Sequence, residues 1–110
     1  MMVGYGVKLG QAKVQSSAAL VHSELVAAGP SGSAVQVAAV FVMSDTAGTV
    51  ALESGGVTTK WEVYPAANGG QNFAAPVGQF LFECDEAEAL AVSSDITGEH
   101  FVSVLYTVGL

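Results

Sequence analysis

Hydrophobic residues along this chain come in short runs that alternate with polar or glycine positions, the period-two pattern of strands. Residues 3–10 are the cleanest case. Val3, Tyr5, Val7 and Leu9 fall on one face, and Gly4, Gly6, Lys8 and Gly10 on the other. Residues 14–26 are less regular and accommodate one or two strands, and Gly29-Pro30-Ser31-Gly32-Ser33 reads as a turn. Residues 34–43 are apolar on both faces, as a central strand covered on two sides would be. A turn over residues 45–48 leads into a strand at 49–53, and Gly55-Gly56 signals a tight hairpin. The strand at 57–64 follows, with Lys60 and Glu62 on its wet side, and residues 65–71 read as a loop. Phe80, Phe82 and Cys84 share a face in the next strand, then come Leu90 and Val92, and a last strand covers residues 101–108. Helix signals are nearly absent. About eight short strands at roughly ten-residue spacing predict an all-β fold, a single-domain antiparallel β-sandwich.

The faces also suggest a register. A two-residue turn at Gly55-Gly56 sets Leu52 opposite Thr59, Ala51 opposite Lys60 and Val50 opposite Trp61. A four-residue loop at 45–48 sets Met43 opposite Val50 and Phe41 opposite Leu52. Both hairpins then place Phe41, Met43, Val50, Leu52 and Trp61 on one buried surface, a set that a one-residue slip would scatter. Phe80, Phe82, Leu90, Val92, Val102, Val104 and Tyr106 complete the expected core.

Composition adds a surplus of apolar surface. The chain has 110 residues, a length that suits one domain, but it is 51% hydrophobic and 12% charged, where an ordinary soluble domain carries about 25% charged residues. Its mean hydropathy is +0.50. A core of this size cannot hide all of that surface, so a partner is expected to cover part of it. The net charge is −7, with three lysines and no arginine. Phosphate neutralisation and guanine reading both need cations, so nucleic acid and anionic membrane are excluded as direct partners. The one cysteine, Cys84, cannot form an internal disulfide and fits a reducing compartment. The first residues lack a basic stretch followed by an apolar one. The longest apolar run, residues 37–43, falls far short of the ~20 residues that span a bilayer. A protein made in the cytoplasm and soluble until it assembles is expected.

Candidate chemistry is thin. Cys84 with His22 or His100 would make a nucleophile and base, but its register with Phe80 and Phe82 favours a small buried hydrophobe. His100, beside Glu99 at a strand border, reads as a solvated or hydrogen-bonded edge residue. Glu83, Asp85, Glu86 and Glu88 form the densest charge in the chain. They lack the spacing and glycine of a calcium loop, so a solvated inter-strand loop is the better reading. Trp61 and Tyr64, near Asn68 and Gln71, could stack on a sugar, although the register puts Trp61 with the core. Gly69-Gly70 has no following Lys-Ser or Lys-Thr and is no phosphate loop. The expectation is a protein that is not an enzyme, with no catalytic residue, no metal and no cofactor.

Three stretches carry a family likeness. The first is the apolar strand and turn Val40-Phe41-Val42-Met43-Ser44-Asp45-Thr46-Ala47-Gly48-Thr49-Val50. The second is the loop at 66–76 leading into Phe80-Leu81-Phe82. The third is Glu86-Ala87-Glu88-Ala89-Leu90-Ala91-Val92-Ser93-Ser94, closing on Val102-Ser103-Val104-Leu105-Tyr106. Over residues 35–106 the chain resembles the small jelly-roll decoration, or cement, proteins on the heads of tailed bacteriophages. It departs from them in two places: Ala87 stands where glycine is usual, and Ser33-Ala34-Val35-Gln36 replaces a Lys/Arg-rich entry to the apolar strand. The resemblance implies a jelly-roll-like sandwich and a structural virion protein on the outer surface of the capsid. It would bind the major capsid protein at junctions between subunits, as a homo-oligomer with a trimer favoured.

Two domain segments are expected, an N-terminal arm or strand at 1–13 and the sandwich at 14–110. The stripe of Val3, Tyr5, Val7 and Leu9 is the expected partner interface, donated to a neighbouring subunit's sheet edge or else completing the chain's own sheet. The alternative function is a carbohydrate- or receptor-binding module of a phage fibre or tail, which requires Trp61 or Tyr64 to be exposed beside polar loops. A subunit of a cellular surface layer or filament is a further alternative, and the missing signal peptide counts against it.

Overall fold

Valine, whose branched β-carbon suits the pleated strand and stiffens it, supplies most of the fully buried side chains in this protein. The computed structural model describes residues 9–109. Within them lie nine strands: β1 Gly10–Ser16, β2 Ser23–Val26, β3 Ala34–Ser44, β4 Val50–Ser54, β5 Thr58–Val63, β6 Gly69–Ala74, β7 Phe82–Glu83, β8 Leu90–Ser94 and β9 His100–Gly109. They form two antiparallel sheets, a five-stranded one in the order β1-β9-β3-β6 with β7 also on β3, and a four-stranded one in the order β2-β8-β4-β5.

The pairings nest. β1 pairs with β9, β2 with β8, β3 with β6 and β4 with β5. A single long hairpin folded over on itself produces this nesting, which is the jelly-roll arrangement of an all-β sandwich. The further pairs β3–β9 and β4–β8 join the two halves of that hairpin into sheets.

The core lies between the sheets. Val35, Val37, Val40 and Val42 of β3 face Val50, Leu52, Val63, Leu90 and Val92 of the opposite sheet, with Val102 and Val104 beside them. Trp61, Phe73, Phe82 and Tyr106 pack against this cluster. Trp61 stacks on Phe82 at 5.9 Å and meets Phe73 edge-on at 5.8 Å. Burying each such aliphatic side chain stabilises the fold by about 1.5–3 kcal/mol.

Several expectations need correcting. Phe41 and Met43 do not belong to the core. β3 carries an irregularity between Val37 and Ala39 in its pairing with β9, and beyond it the inward positions are Val40 and Val42. Phe41 and Met43 therefore face outward, and Met43 is 50% exposed. Residues 45–49 do not close a β3–β4 hairpin but cross from one sheet to the other. Phe80 is half-buried outside any strand, and Leu81 packs on the core in its place, with its N–H on the Val37 carbonyl.

The Gly55-Gly56 turn forms as expected, both glycines at positive φ (66° and 71°) and the Val57 N–H on the Ser54 carbonyl. Its register differs from expectation. Ser54 pairs with Thr58, and an irregularity between Leu52 and Glu53 then sets Leu52 opposite Trp61 and Val50 opposite Val63. The two one-residue offsets cancel in parity, so Val50, Leu52 and Trp61 still share the inner face. β6, drawn from residues that read as a loop and its continuation, is an edge strand on β3.

The division at residue 13 falls inside β1, which pairs continuously with β9 from Gly10 opposite Tyr106 to Ser16 opposite His100. The chain from Gly10 onward thus completes its own sheet. Val3, Tyr5 and Val7 lie outside the described residues, while Leu9 is half-buried beside Tyr106 and Val108.

Two stability measurements follow from this packing. Leu52→Ala removes a fully buried side chain and should cost about 2–5 kcal/mol in urea denaturation. A loss under 1 kcal/mol would mean that Leu52 is not core. Ala87 has φ +58°, a left-handed conformation that costs a residue with a β-carbon about 1–2 kcal/mol. Ala87→Gly should therefore raise stability by about 1 kcal/mol despite the added freedom of the unfolded chain. An unchanged or lowered urea midpoint would show that the turn does not hold this conformation in solution.

Candidate functional site

The outward positions of the five-stranded sheet can be read row by row from the register. Gln11, Leu105, Ala39 and Ala74 make one row, Lys13, Ser103, Phe41 and Asn72 the next, and Gln15, Phe101, Met43 and Gly70 the third. The centre of this surface is apolar. Phe41 meets Phe101 edge-on at 6.3 Å, and Leu105 is 38% exposed. Its borders are amides, with one lysine and no carboxylate in the three rows. The first carboxylate beyond the irregularity of β3 is Glu83, which accepts a hydrogen bond from Gln36 Nε2 at 2.9 Å.

The other sheet presents a different outer face. Ala51 pairs with Glu62 and Ser93, and Glu53 with Ala91, which in turn pairs with Glu24. Three carboxylates stand there. In a chain of net charge −7, one broad face is thus free of carboxylates in these three rows and apolar at its centre, with Lys13 at its border, while the other carries the exposed Glu24 and Glu62 over a buried Glu53. An apolar centre with a polar border is the anatomy of a protein–protein contact surface.

The remaining groups are engaged in holding the fold. His22, at φ +46°, has its Nδ1 2.9 Å from Glu53 Oε1 and 3.2 Å from Ser93 Oγ. The Ser93 hydroxyl also donates to Glu53 Oε1 at 3.0 Å, and the His22 backbone N–H donates to Ser93 Oγ. A serine–histidine–carboxylate relay needs the serine on one ring nitrogen and the carboxylate on the other. Here both meet Nδ1 and the hydroxyl proton points at the carboxylate, so the three residues clasp His22 to the sheet and do not activate the hydroxyl. The sequence reading missed Glu53, which looks like an outward strand residue yet is buried under His22.

His100 is buried. One ring nitrogen, Nδ1, is 2.9 Å from the Gly98 carbonyl, and the other, Nε2, is 2.8 Å from Ser94 Oγ. It is hydrogen-bonded as expected, without being solvated. The acidic run is splayed among separate partners. Asp85 pairs with Lys60 Nζ at 3.0 Å, Glu86 accepts from the Gly32 N–H and Glu88 accepts from the Ser54 hydroxyl. Among the described residues no three His, Cys, Asp or Glu side chains gather as metal ligands would. Trp61 is half-buried, stacked on Phe82 and edge-on to Phe73, and packs against the core. Tyr64 is exposed, and its hydroxyl donates to Glu62 at 2.9 Å, a bond that raises the phenol above its ordinary titration range.

Burial, opposed by the neighbouring Ser54 hydroxyl and the nearby Lys60 charge, raises the Cys84 thiol above its ordinary range. No protein-family model matches this chain, and no curated protein is detectably similar to it.

A raised thiol stays protonated to higher pH than a free one, and the protonated form does not attack alkylating agents. Cys84 in the folded protein should therefore react with iodoacetamide far more slowly than in urea, even at about pH 9, where a free thiol is largely ionised. Equal rates in the two conditions would place the thiol at the surface.

Proposed function

We propose that this protein is a structural component of a bacteriophage virion, a trimeric decoration protein that binds the outside of the capsid at junctions between major capsid protein subunits. The observation that carries the reading is the apolar-centred face of the five-stranded sheet, whose three outward rows hold no carboxylate, set on an otherwise acidic jelly roll. Three features support it. The sandwich has the strand nesting that the sequence resemblance implies. The turn at Ala87 takes a backbone conformation in which glycine is at ease, and glycine is the residue usual there in the decoration proteins. A broad face of a molecule measuring 39 × 25 × 17 Å can also supply the ~800 Å² per partner of a standard interface.

In this role the sandwich is a rigid spacer between two surfaces of opposite character. The apolar face docks on shell protein, and the acidic face repels other virions and free copies, which keeps the decorated particle soluble.

Heads prepared without this protein, mixed with it and sedimented, should take it up to a fixed stoichiometry and release their DNA at a higher temperature. Met43→Asp and Leu105→Asp put a charge on the docking face at exposed outward positions, so they should leave the melting transition nearly unchanged and abolish uptake. Wild-type protein that stays in the supernatant at every ratio overturns the capsid reading. Uptake unaffected by both substitutions moves the contact to another face.

A further inference from the structure

At one end of the apolar face the third outward row runs into three loops that the backbone ties together. The Asp45 N–H donates to the Glu99 carbonyl at 3.0 Å, and the Asn68 N–H donates to the Asp45 carbonyl at 3.2 Å. Asn68 takes a left-handed conformation, φ +53°, to make that approach. The result is an open groove of about 390 Å³ lined by Gln15, Met43, Asp45, Asn68, Glu99 and Phe101. Met43 and Phe101 give it a thioether and a phenyl ring, the other four residues two carboxylates and two amides, and Ser44 and His100 complete the lining.

We propose that this groove is the anchoring pocket for an arginine side chain presented by the partner protein. The chemistry of the lining selects that occupant. The aliphatic stem of an arginine lies on Met43 and Phe101, and its flat guanidinium stacks on the Phe101 ring. The guanidinium's fixed fork of donors meets Asp45 and Glu99, both acceptors, which a neutral or acidic side chain could not do. The Asp45 carboxylate makes no side-chain hydrogen bond among the described residues, and that of Glu99 accepts one, from Gln15 Nε2 at 2.7 Å. Acceptor capacity is therefore left on both.

The occupant comes from a different protein. This chain contains no arginine, and of its lysines Lys60 is already paired with Asp85 while Lys13 stands on the same face as the groove. Arginine is one of the three residue types in which interface hot spots are enriched, typically where it fills a desolvated pocket. The pocket thus supplies orientation as well as affinity: a face whose centre is apolar tolerates many rotations of its partner, and an acidic anchor at one end selects among them.

The inference rests on reading this face as a docking surface and is independent of the partner's being a capsid protein, so its test uses no capsid. N-acetylarginine amide and its neutral isostere N-acetylcitrulline amide are titrated into the isotopically labelled full chain at low salt. The arginine compound should shift the Met43 methyl and the Asn68 and Glu99 amide signals with a single millimolar-range dissociation constant, and the citrulline compound should bind at least about tenfold more weakly. Asp45→Asn and Glu99→Gln, combined, should abolish the difference between the two compounds while the melting transition stays in place. Should the two compounds bind alike to the wild type, or the double variant still prefer arginine, the pocket is not a guanidinium site. Shifts confined to the acidic outer face of the other sheet would equally overturn it, as general attraction to a protein of negative charge.

Discussion

One extra residue in β3 decides what this protein shows to the outside. Between Val37 and Ala39 the strand gains a residue relative to β9, and every side chain after that point is turned to the opposite face from the one simple alternation would give. Without it Phe41 and Met43 would point inward with Val35 and Val37, and Val40 and Val42 would be on the surface. The core would then have to hold a phenyl ring and a long thioether where it now holds two valines, and the outer face would lose its largest apolar groups. The irregularity sits where β3 changes neighbour. From Ala39 to Ser44 it pairs with β6, and at Gln36 and Val37 with β7. Ala38 lies between the two, its carbonyl accepting the Ala75 N–H where the chain leaves β6. Bending one strand there accommodates two short edge partners and sorts the side chains at the same time.

That sorting explains how a chain so apolar can still carry a small, valine-built core. Within the strands the hydrophobic surplus is divided: most branched aliphatic residues go between the sheets, where they pack well, and the longer Phe41, Met43, Phe101 and Leu105 go to one outer face, while Val21, Val57 and Val77 stand exposed on loops. The charges are divided in the same way. Glu24, Glu53 and Glu62 belong to the four-stranded sheet, and the three outward rows of the five-stranded sheet hold no carboxylate and one lysine, Lys13. Self-repulsion among molecules of net charge −7 is thereby weakest where two apolar surfaces would meet.

Much of the fold was legible in the sequence because strand existence depends on local signals. Glycine and proline punctuation marked most turns, and β-branched runs marked β3, β5 and β9. What was not legible depends on counting residues across a pairing. Residues 34–43 are apolar at all positions but Gln36, so no polar residue records which side faces out after the irregularity, and Phe41 and Met43 were read as core. The Gly55-Gly56 hairpin was misregistered by two residues, and its inner face survived only because two single offsets restore parity. β6 escaped because Gly69-Gly70-Gln71-Asn72-Phe73-Ala74 has little β propensity, and its pairing with β3 outweighs that deficit. The candidate site was the least legible part, since it is an outer face created by a parity switch and three loops distant in sequence.

The two outer faces also bear on how such a surface can be specific. Apolar contact alone discriminates poorly among orientations, because its energy follows area and has little direction. Directional recognition requires groups whose energy falls steeply when misplaced, and charged hydrogen-bonding groups are the strongest of these. In this protein almost every carboxylate on the loops and on the four-stranded sheet is held by its own chain, at Lys60, Ser54, Gly32, Gln36 or His22. Those carboxylates keep the molecule soluble and fasten its loops. Asp45 and Glu99 differ in standing beside the apolar face, where a partner that covers Met43 and Phe101 also excludes water from them. An acceptor dehydrated without a donor costs more free energy than its exposure ever did. On the proposed reading a partner lacking a cation at that position is opposed as well as unrewarded, and a groove that attracts one orientation rejects the others.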